Sequence, residues 1–220
     1  MLLNYQYRAY PDTNQKIELN TWLRICQYWY NKQLGDRFDW WENNRNSVNA
    51  CSIVSCSLPQ LQDNPDFYSQ KKQLPDLKED LLKVGYSGEL LDFTRVPSQT
   101  LQDVSKRVDL AFLRFIKGDS NGNRSGKPRF KNAARYRTMR IEGQAIAVKR
   151  IEKDWLLLSI SKLKGWIKVR LHRPLPNGFV LKNALLSLKA DGWYLTICLE
   201  DPNVPVFTPD EIMPTWDNTL

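Results

Sequence analysis

A change in hydrophobic period near residue 137 constrains the fold of this chain more than any other feature of the sequence. Before it, apolar residues recur every three to four positions, as in helices; after it, they alternate with polar residues, as in half-buried strands. A short alternating run from Leu3 to Ala9 also opens the chain. The alternating pattern predicts strands at 137–141, 145–150, 155–160, 166–172, 184–190 and 193–199. The predicted fold class is therefore α+β.

The longest helical pattern follows the opening strand. It begins at Asp12, which has Gln15 three residues on, the spacing of a capping box. Its apolar stripe predicts an amphipathic helix that ends at Gly35, a residue typical of helix C-termini. Residues 38–42 are compatible with continuation of the helix, and the Asn-, Ser- and Pro-rich residues 43–67 predict a loop.

Two further helices are predicted before the change of period. A short one covers 74–84. A longer one runs from about Ser98 to Ile116, with an apolar stripe on one face, cations on the other and Gly118 as its terminator.

A single strand at the start of the chain is not stable by itself, so we expect it to pair with the later strands. Several short strands with tight turns, among them a hairpin turn at Asp191-Gly192, predict a small antiparallel barrel with a helical insertion after its first strand. The predicted division of the chain is 1–11 for the first strand, 12–130 for a helical lobe, 131–201 for the remaining strands and 202–220 for a Pro-rich linker.

The positive charge of the chain is concentrated in residues 124–173. This stretch holds fifteen Lys and Arg against three acids and carries +12, whereas the whole chain carries +8, so all other residues together carry −4. Cations at this density repel one another unless an anion neutralises them. A polynucleotide does so and releases its own condensed counterions. The alternative interpretation is a solvated basic surface.

The sequence KPRFK within this stretch interleaves charge with an aromatic ring. Lys127, Arg129 and Lys131 alternate with Pro128 and Phe130, which places the cations on one side of an extended segment. The ring can pack beneath the cations or stack on a base. The candidate nucleic-acid-binding residues of the basic stretch are Lys127, Arg129, Phe130, Lys131, Arg135, Arg137, Arg140, Lys162, Lys164 and Lys168.

The sequence offers little for catalysis or metal binding. It contains a single histidine, His172, and a Cys51-x4-Cys56 spacing that is too loose for a zinc site, so free thiols are the better interpretation. A two-metal nuclease needs several converging carboxylates, which the basic stretch lacks. No catalytic residue, metal or cofactor is therefore predicted. The absence of an apolar run of membrane-spanning length or of a signal peptide predicts a cytoplasmic, nucleoid-associated protein.

Six sequence blocks in this order resemble the TnpB (OrfB) family of insertion-sequence proteins, which is related to type V CRISPR effectors. The resemblance covers essentially the whole chain. The blocks are RAYPDTNQKIELNTWLRICQYWYN, LPDLKED, VPSQTLQDVSKRVDLAFLRFIKG, RSGKPRFKNAARYRTMRI, LKGWIKVRLHRPLP and DGWYLTICLED.

The resemblance implies a wedge barrel and a helical recognition lobe that together hold a guide RNA and read a short motif in double-stranded target DNA. It implies that Ser98 and Gln102 read bases and that Lys106 lies nearer the DNA backbone. Helix capping and a solvated face remain the alternative for Ser98 and Gln102. The block 128–131 is similar to a family segment that binds the backbone of RNA or of a heteroduplex.

Members of this family continue into a RuvC-type nuclease domain, to which Mg²⁺ would belong. This sequence ends in TWDNTL, where that domain is expected to begin, and Asp217 lacks the strand context of a catalytic aspartate. We therefore expect a nucleic-acid-binding module that does not cleave by itself. The alternatives are the N-terminal portion of an RNA-guided endonuclease that acts with a RuvC portion in trans, and an RNA-independent DNA-binding repressor.

Overall fold

The computed structural model describes residues 2–50, 63–79, 81–84, 88–201 and 203, and the side chains of these except 44–50 and 82–84. Four α-helices and nine strands lie within these ranges. In chain order they are β1 (Leu2–Tyr10), α1 (Thr13–Ala50), α2 (Phe67–Lys71), α3 (Asp76–Glu79), β2 (Leu82–Val84), β3 (Glu89–Leu91), α4 (Ser98–Ile116), β4 (Thr138–Glu142), β5 (Ile146–Glu152), β6 (Trp155–Ile160), β7 (Ile167–Arg170), β8 (Val180–Lys189) and β9 (Gly192–Glu200).

The principal sheet has seven strands in the order β4-β8-β9-β1-β7-β6-β5, and each pairing is antiparallel. It curls into a half-barrel with β4 and β5 at its edges. The first strand lies at its centre, where Tyr5 pairs with Ile197 and Arg8 with both Tyr194 and Arg170. The α+β class and the pairing of the first strand with later strands are thus confirmed.

Helix α1 is longer and more deeply buried than its sequence pattern predicts. It continues through Gly35 to Ala50 instead of stopping at the glycine. Between Trp22 and Phe38, all described by the structure, every residue is buried or half-buried. Leu34 and Phe38 are buried on either side of the glycine, so tertiary packing continues across it and outweighs the local cost of glycine in a helix. The predicted apolar stripe is buried, whereas Arg24, Lys32 and Asp36 on the other side of α1 stay partly exposed, so only the predicted stop at Gly35 was wrong.

Helix α4 has the predicted bounds and packs parallel to α1. Ser105 accepts hydrogen bonds from Trp29 Nε1 at 3.2 Å and from Gln33 Nε2 at 2.7 Å, and the rings of Phe38 and Phe112 lie 6.0 Å apart. Gly118, with φ of +92°, follows the helix as predicted.

The predicted helix at 74–84 is only partly correct. Asp76–Glu79 is helical, but Leu82–Val84 pairs with Glu89–Leu91 as a two-stranded sheet. Short apolar runs are ambiguous between helix and strand, and Leu91 of the partner strand is buried in the core. The pairing with β3 therefore decides the conformation of this segment.

The six strands predicted after residue 137 are all present, with ends shifted by a few residues. The last hairpin turns one residue earlier than predicted: Lys189 pairs with Gly192, so Ala190 and Asp191 form the turn. Cys51, Cys56 and most of the predicted linker 202–220 lie outside the described residues. The division of the chain into lobes stays a prediction, although buried residues of helices and sheet form one hydrophobic cluster.

Candidate nucleic-acid interface

The basic segment 127–137 lies along α1 and runs antiparallel to it. Lys127 contacts the helix near Trp41, and the backbone of Lys131 is bonded to Asn31 further back. Tyr136 then packs against Tyr30, with 6.1 Å between ring centroids. The segment is thus held by the buried core helix of the protein.

The side chain of Lys127 is held by contacts with α1 and is not a free cation. Its Nζ lies 3.1 Å from Glu42 Oε1 and 4.3 Å from the centroid of the Phe38 ring. Phe130 packs edge-on against the same ring at 5.8 Å and remains 57% exposed. Both residues anchor the segment to α1, and about half of the Phe130 ring remains available to a ligand.

Three cations of the segment are free. The side chains of Arg129, Lys131 and Arg135 are exposed and form no ion pair or hydrogen bond within the described part of the chain. The backbone around them is fixed: Lys131 N–H donates to Asn31 Oδ1 at 2.8 Å, and its carbonyl accepts from Gln27 Nε2 at 2.6 Å. These cations are therefore positioned by a rigid support while their charge is unneutralised.

Arg137 and Arg140 have partners within the protein. Arg137 Nε donates to the carbonyl of Ala134. Arg140 lies 3.0 Å from Glu142 and 3.8 Å from Asp103. Arg137 also lines a cavity of about 690 Å³ between α1 and the β8–β9 turn, together with Arg24 and Lys189. This cavity is large enough for a nucleotide.

Two lysines converge at the start of α4. Lys78 Nζ donates to Ser98 Oγ at 2.6 Å, and Lys162 Nζ donates to the carbonyl of Val96 at 3.2 Å. Burial, and then the charge of Lys162, lower the pKa of Lys78. Because the N-terminus of a helix is itself electropositive, an anion at this place would relieve the repulsion.

Ser98, Gln102 and Lys106 lie one turn apart on one face of α4. The first two are half-buried and the lysine is exposed. Ser98 is the first helical residue, after Pro97 at the N-cap position, and its hydroxyl accepts from Lys78. The hydroxyl therefore has Lys78 as its partner, and the start of α4 has no side-chain cap.

The remaining candidates lie at the turn between β6 and β7 and beyond it. Lys162 and Lys164 line a cavity of about 770 Å³ beside the start of α1, and the carbonyl of Lys164 accepts from Gln15 Nε2 at 2.9 Å. Lys168 is exposed on the outer face of the sheet. The contacts thus join the candidates into three groups: the segment along α1, the start of α4 with the β6–β7 turn, and the outer sheet face.

The buried thiol and phenol groups near the interface are held in their protonated forms. Burial raises the pKa of Cys26 to about 12 and raises the pKa of Tyr136 further still. No three His, Cys, Asp or Glu side chains of the described residues are grouped so that they could hold a metal ion.

Sequence reasoning missed Lys78, Arg24 and Lys189. Lys78 and Ser98 are twenty residues apart, and Arg24 and Lys189 come together only because α1 packs against the barrel end. No local sequence pattern indicates either of these two contacts, since each depends on tertiary packing.

A family model matches the start of the chain. Residues 1–46 match the helix-turn-helix domain of IS605 OrfB proteins. The matched OrfB-like region consists of β1 and most of α1, the strand at the centre of the sheet and the helix at the centre of the core. A search of curated proteins finds no significant match to the chain. None of the described helices has the length and apolarity needed to cross a membrane.

Proposed function

We propose that this chain is the nucleic-acid-binding module of a transposon-encoded, RNA-guided DNA-targeting protein. It holds a guide RNA and reads a short motif in target DNA, and it does not cleave by itself. The observation that carries this proposal is the match of residues 1–46 to the helix-turn-helix domain of IS605 OrfB proteins, since such domains bind DNA. The unneutralised cations along α1 support it.

The buried position of α1 determines which elements are available to nucleic acid. A recognition helix must expose one face to the major groove, and in the segment 22–38 of α1 no residue is more than partly exposed. Helix α4 does expose a polar face, which carries Gln102 and Lys106 and begins at the lysine pair beside Ser98. In this proposal α4 contacts duplex DNA, with Lys78 and Lys162 on its phosphates and Ser98 and Gln102 at base edges.

The guide RNA binds along the segment 129–135 in the same proposal. Arg129, Lys131 and Arg135 contact its phosphates, and Phe130 offers a ring to one base. The support given by α1 reduces the entropy that the segment loses on binding, so the contacts are pre-organised.

Two alternatives are distinguishable from this proposal. The chain is the N-terminal portion of an RNA-guided endonuclease if a RuvC portion, with its Mg²⁺, completes it in trans. It is an RNA-independent repressor if the DNA-binding domain type at residues 1–46 acts alone.

Sequencing the RNA that co-purifies with the chain tests the proposal. We expect one discrete small RNA, and we expect duplex DNA binding to require it. Sequence-specific duplex binding by RNA-free protein would contradict RNA guidance and support the repressor. A Mg²⁺-dependent cleavage assay, run with and without an added RuvC portion, separates the module from the split endonuclease.

A further inference from the structure

The outer face of β1, β7 and β6 carries exposed aromatic rings among cations. Tyr10 is 43% exposed, Trp155 36% and Trp166 55%. The rings of Tyr10 and Trp155 lie 5.4 Å apart at an interplanar angle of 68°. Trp155, Trp166 and Lys168 line one cavity of about 720 Å³. Large rings are normally buried, so a group of three exposed ones marks a binding surface.

The strand register interleaves these rings with positive charge. Lys168 pairs with Tyr10 on one side and with Leu157 on the other, and Arg170 lies in the same way between Arg8 and Trp155. Within the described residues, neither Lys168 nor Arg170 forms an ion pair. Glu152, an acid that lines the same cavity, is neutralised by Arg150 at 2.6 Å. The face is therefore both aromatic and electropositive.

We propose that this face, defined by Tyr10, Trp155, Trp166, Lys168 and Arg170, is a stacking platform for unpaired bases of single-stranded RNA. Exposed rings stack on bases whatever their identity, and neighbouring cations contact the phosphates. A duplex does not fit this chemistry because its bases are already stacked on one another. A second copy of the same face does not fit either, since its cations would meet like charge.

The platform is continuous with a basic site already described. Gly165 lines both the tryptophan cavity and the cavity that holds Lys162 and Lys164. A strand that stacks on Trp166 can thus pass its phosphates toward Lys164. This inference rests on the proposed function, which supplies RNA as the resident single strand.

The test measures binding of the full chain to a labelled ten-nucleotide uridine RNA, to the same length of thymidine DNA and to duplex DNA, by fluorescence anisotropy. The double variant Trp155→Leu/Trp166→Leu should raise the Kd for the RNA by about 25-fold or more, at about fivefold or more per ring. It should keep the cooperative thermal unfolding of the wild type, as followed by circular dichroism, which verifies that the variant is folded. The variant Trp155→Phe/Trp166→Phe should restore most of the RNA affinity.

Two further variants serve as controls for this test. Tyr68→Leu removes an exposed ring (68% exposed) from α2, outside the platform, and should leave RNA binding unchanged. Trp166→Leu alone changes the most exposed of the three rings and should weaken RNA binding by about fivefold or more even if the double variant does not fold.

The outcomes separate the platform from the proposed function. RNA binding that is unchanged in the leucine variants overturns the platform and leaves the proposed function standing. Tryptophan-dependent binding of the DNA strand but not of the RNA overturns the assignment to RNA. A wild-type chain that binds neither RNA nor duplex DNA contradicts the proposed function and the platform with it.

Discussion

Lys78 is held where a positive charge is costly. Burial and the neighbouring Lys162 lower its pKa. Below the lowered pKa, the charged lysine makes the folded state less stable. This loss of stability disappears as the pH rises from the lowered pKa to the ordinary pKa of lysine. In the proposed function Lys78 contacts a phosphate, and it would then contribute to binding at the expense of stability.

We predict that Lys78→Gln separates stability from binding. At neutral pH the variant should melt at the same temperature as the wild type or higher, because the repulsion with Lys162 is removed. Its Kd for duplex DNA should rise roughly tenfold, because the variant loses one charge-assisted hydrogen bond to a phosphate. Differential scanning fluorimetry and anisotropy measure the two effects.

Lys117→Gln is the matched control for this prediction, since it removes an exposed lysine at the opposite end of α4. It should leave the Kd unchanged. A lower melting temperature for Lys78→Gln with unchanged DNA affinity would show that Lys78 is only structural.

Cys26 gives a second prediction at this scale. Burial raises the pKa of its thiol to about 12, so at pH 8 only about one molecule in 10⁴ carries the reactive thiolate. Iodoacetamide at pH 8 should therefore leave Cys26 unmodified in the folded protein and modify it in guanidinium, as read by peptide mass spectrometry. Rapid modification of the folded protein would contradict the burial of α1.

At the scale of elements, Arg37 joins three helices. It is 2% exposed, lies 2.8 Å from Asp109 of α4, and donates from Nε to Gln70 of α2 at 2.8 Å. Gln70 in turn donates to the carbonyl of Gln33 at 2.9 Å. The network fixes α2 and α4 on the middle of α1.

We predict that Arg37→Leu lowers the free energy of unfolding by about 2–4 kcal/mol, because it leaves a partly buried carboxylate and a buried amide without their partner. The midpoint of guanidinium unfolding at constant m-value measures the loss. Arg24→Leu is the control, since its pair with Glu89 is partly exposed, and it should cost less than about 1 kcal/mol. Equal losses in both variants would contradict a special role for the buried network.

The elements differ in how much of them the sequence could predict. Alternation predicted the six late strands because most of them bury one face only; β5, in which Ile146 alone is buried, is the exception. The sequence also predicted the buried stripe of α1, but it failed at Gly35, because packing across the glycine is not a local property. It also failed at β2, which depends on its partner strand β3.

The candidate site, too, could be predicted only in part from the sequence. Charge and interleaving indicated the segment 127–137, which indeed presents free cations. The sequence could not distinguish Arg129, which is free, from Lys127, which is paired with Glu42 from a distant part of the chain. Nor could it show that Lys78 meets Ser98, since that contact depends on how α3 packs at the start of α4.

At the scale of the whole molecule, the region matched as a helix-turn-helix domain shares its core with the rest of the chain. Its strand pairs with β7 and β9, and its helix packs on α4. We predict that residues 1–46 alone show no cooperative unfolding by circular dichroism, whereas the full chain does, because one strand and one helix bury too little surface. A cooperative transition of the monomeric fragment would contradict this.

The most direct measurement of the central claim is the salt dependence of RNA binding. Neutralising Arg129, Lys131 and Arg135 together to Gln should weaken binding and flatten the slope of log Kd against log salt by about two to three, at roughly 0.7–0.9 per phosphate contact. Neutralising three ion-paired cations instead, Lys127, Arg150 and Lys182, changes the net charge equally and should alter the slope by less than about one. An unchanged slope in the first variant, or the same change in both, would contradict a nucleic-acid interface along α1.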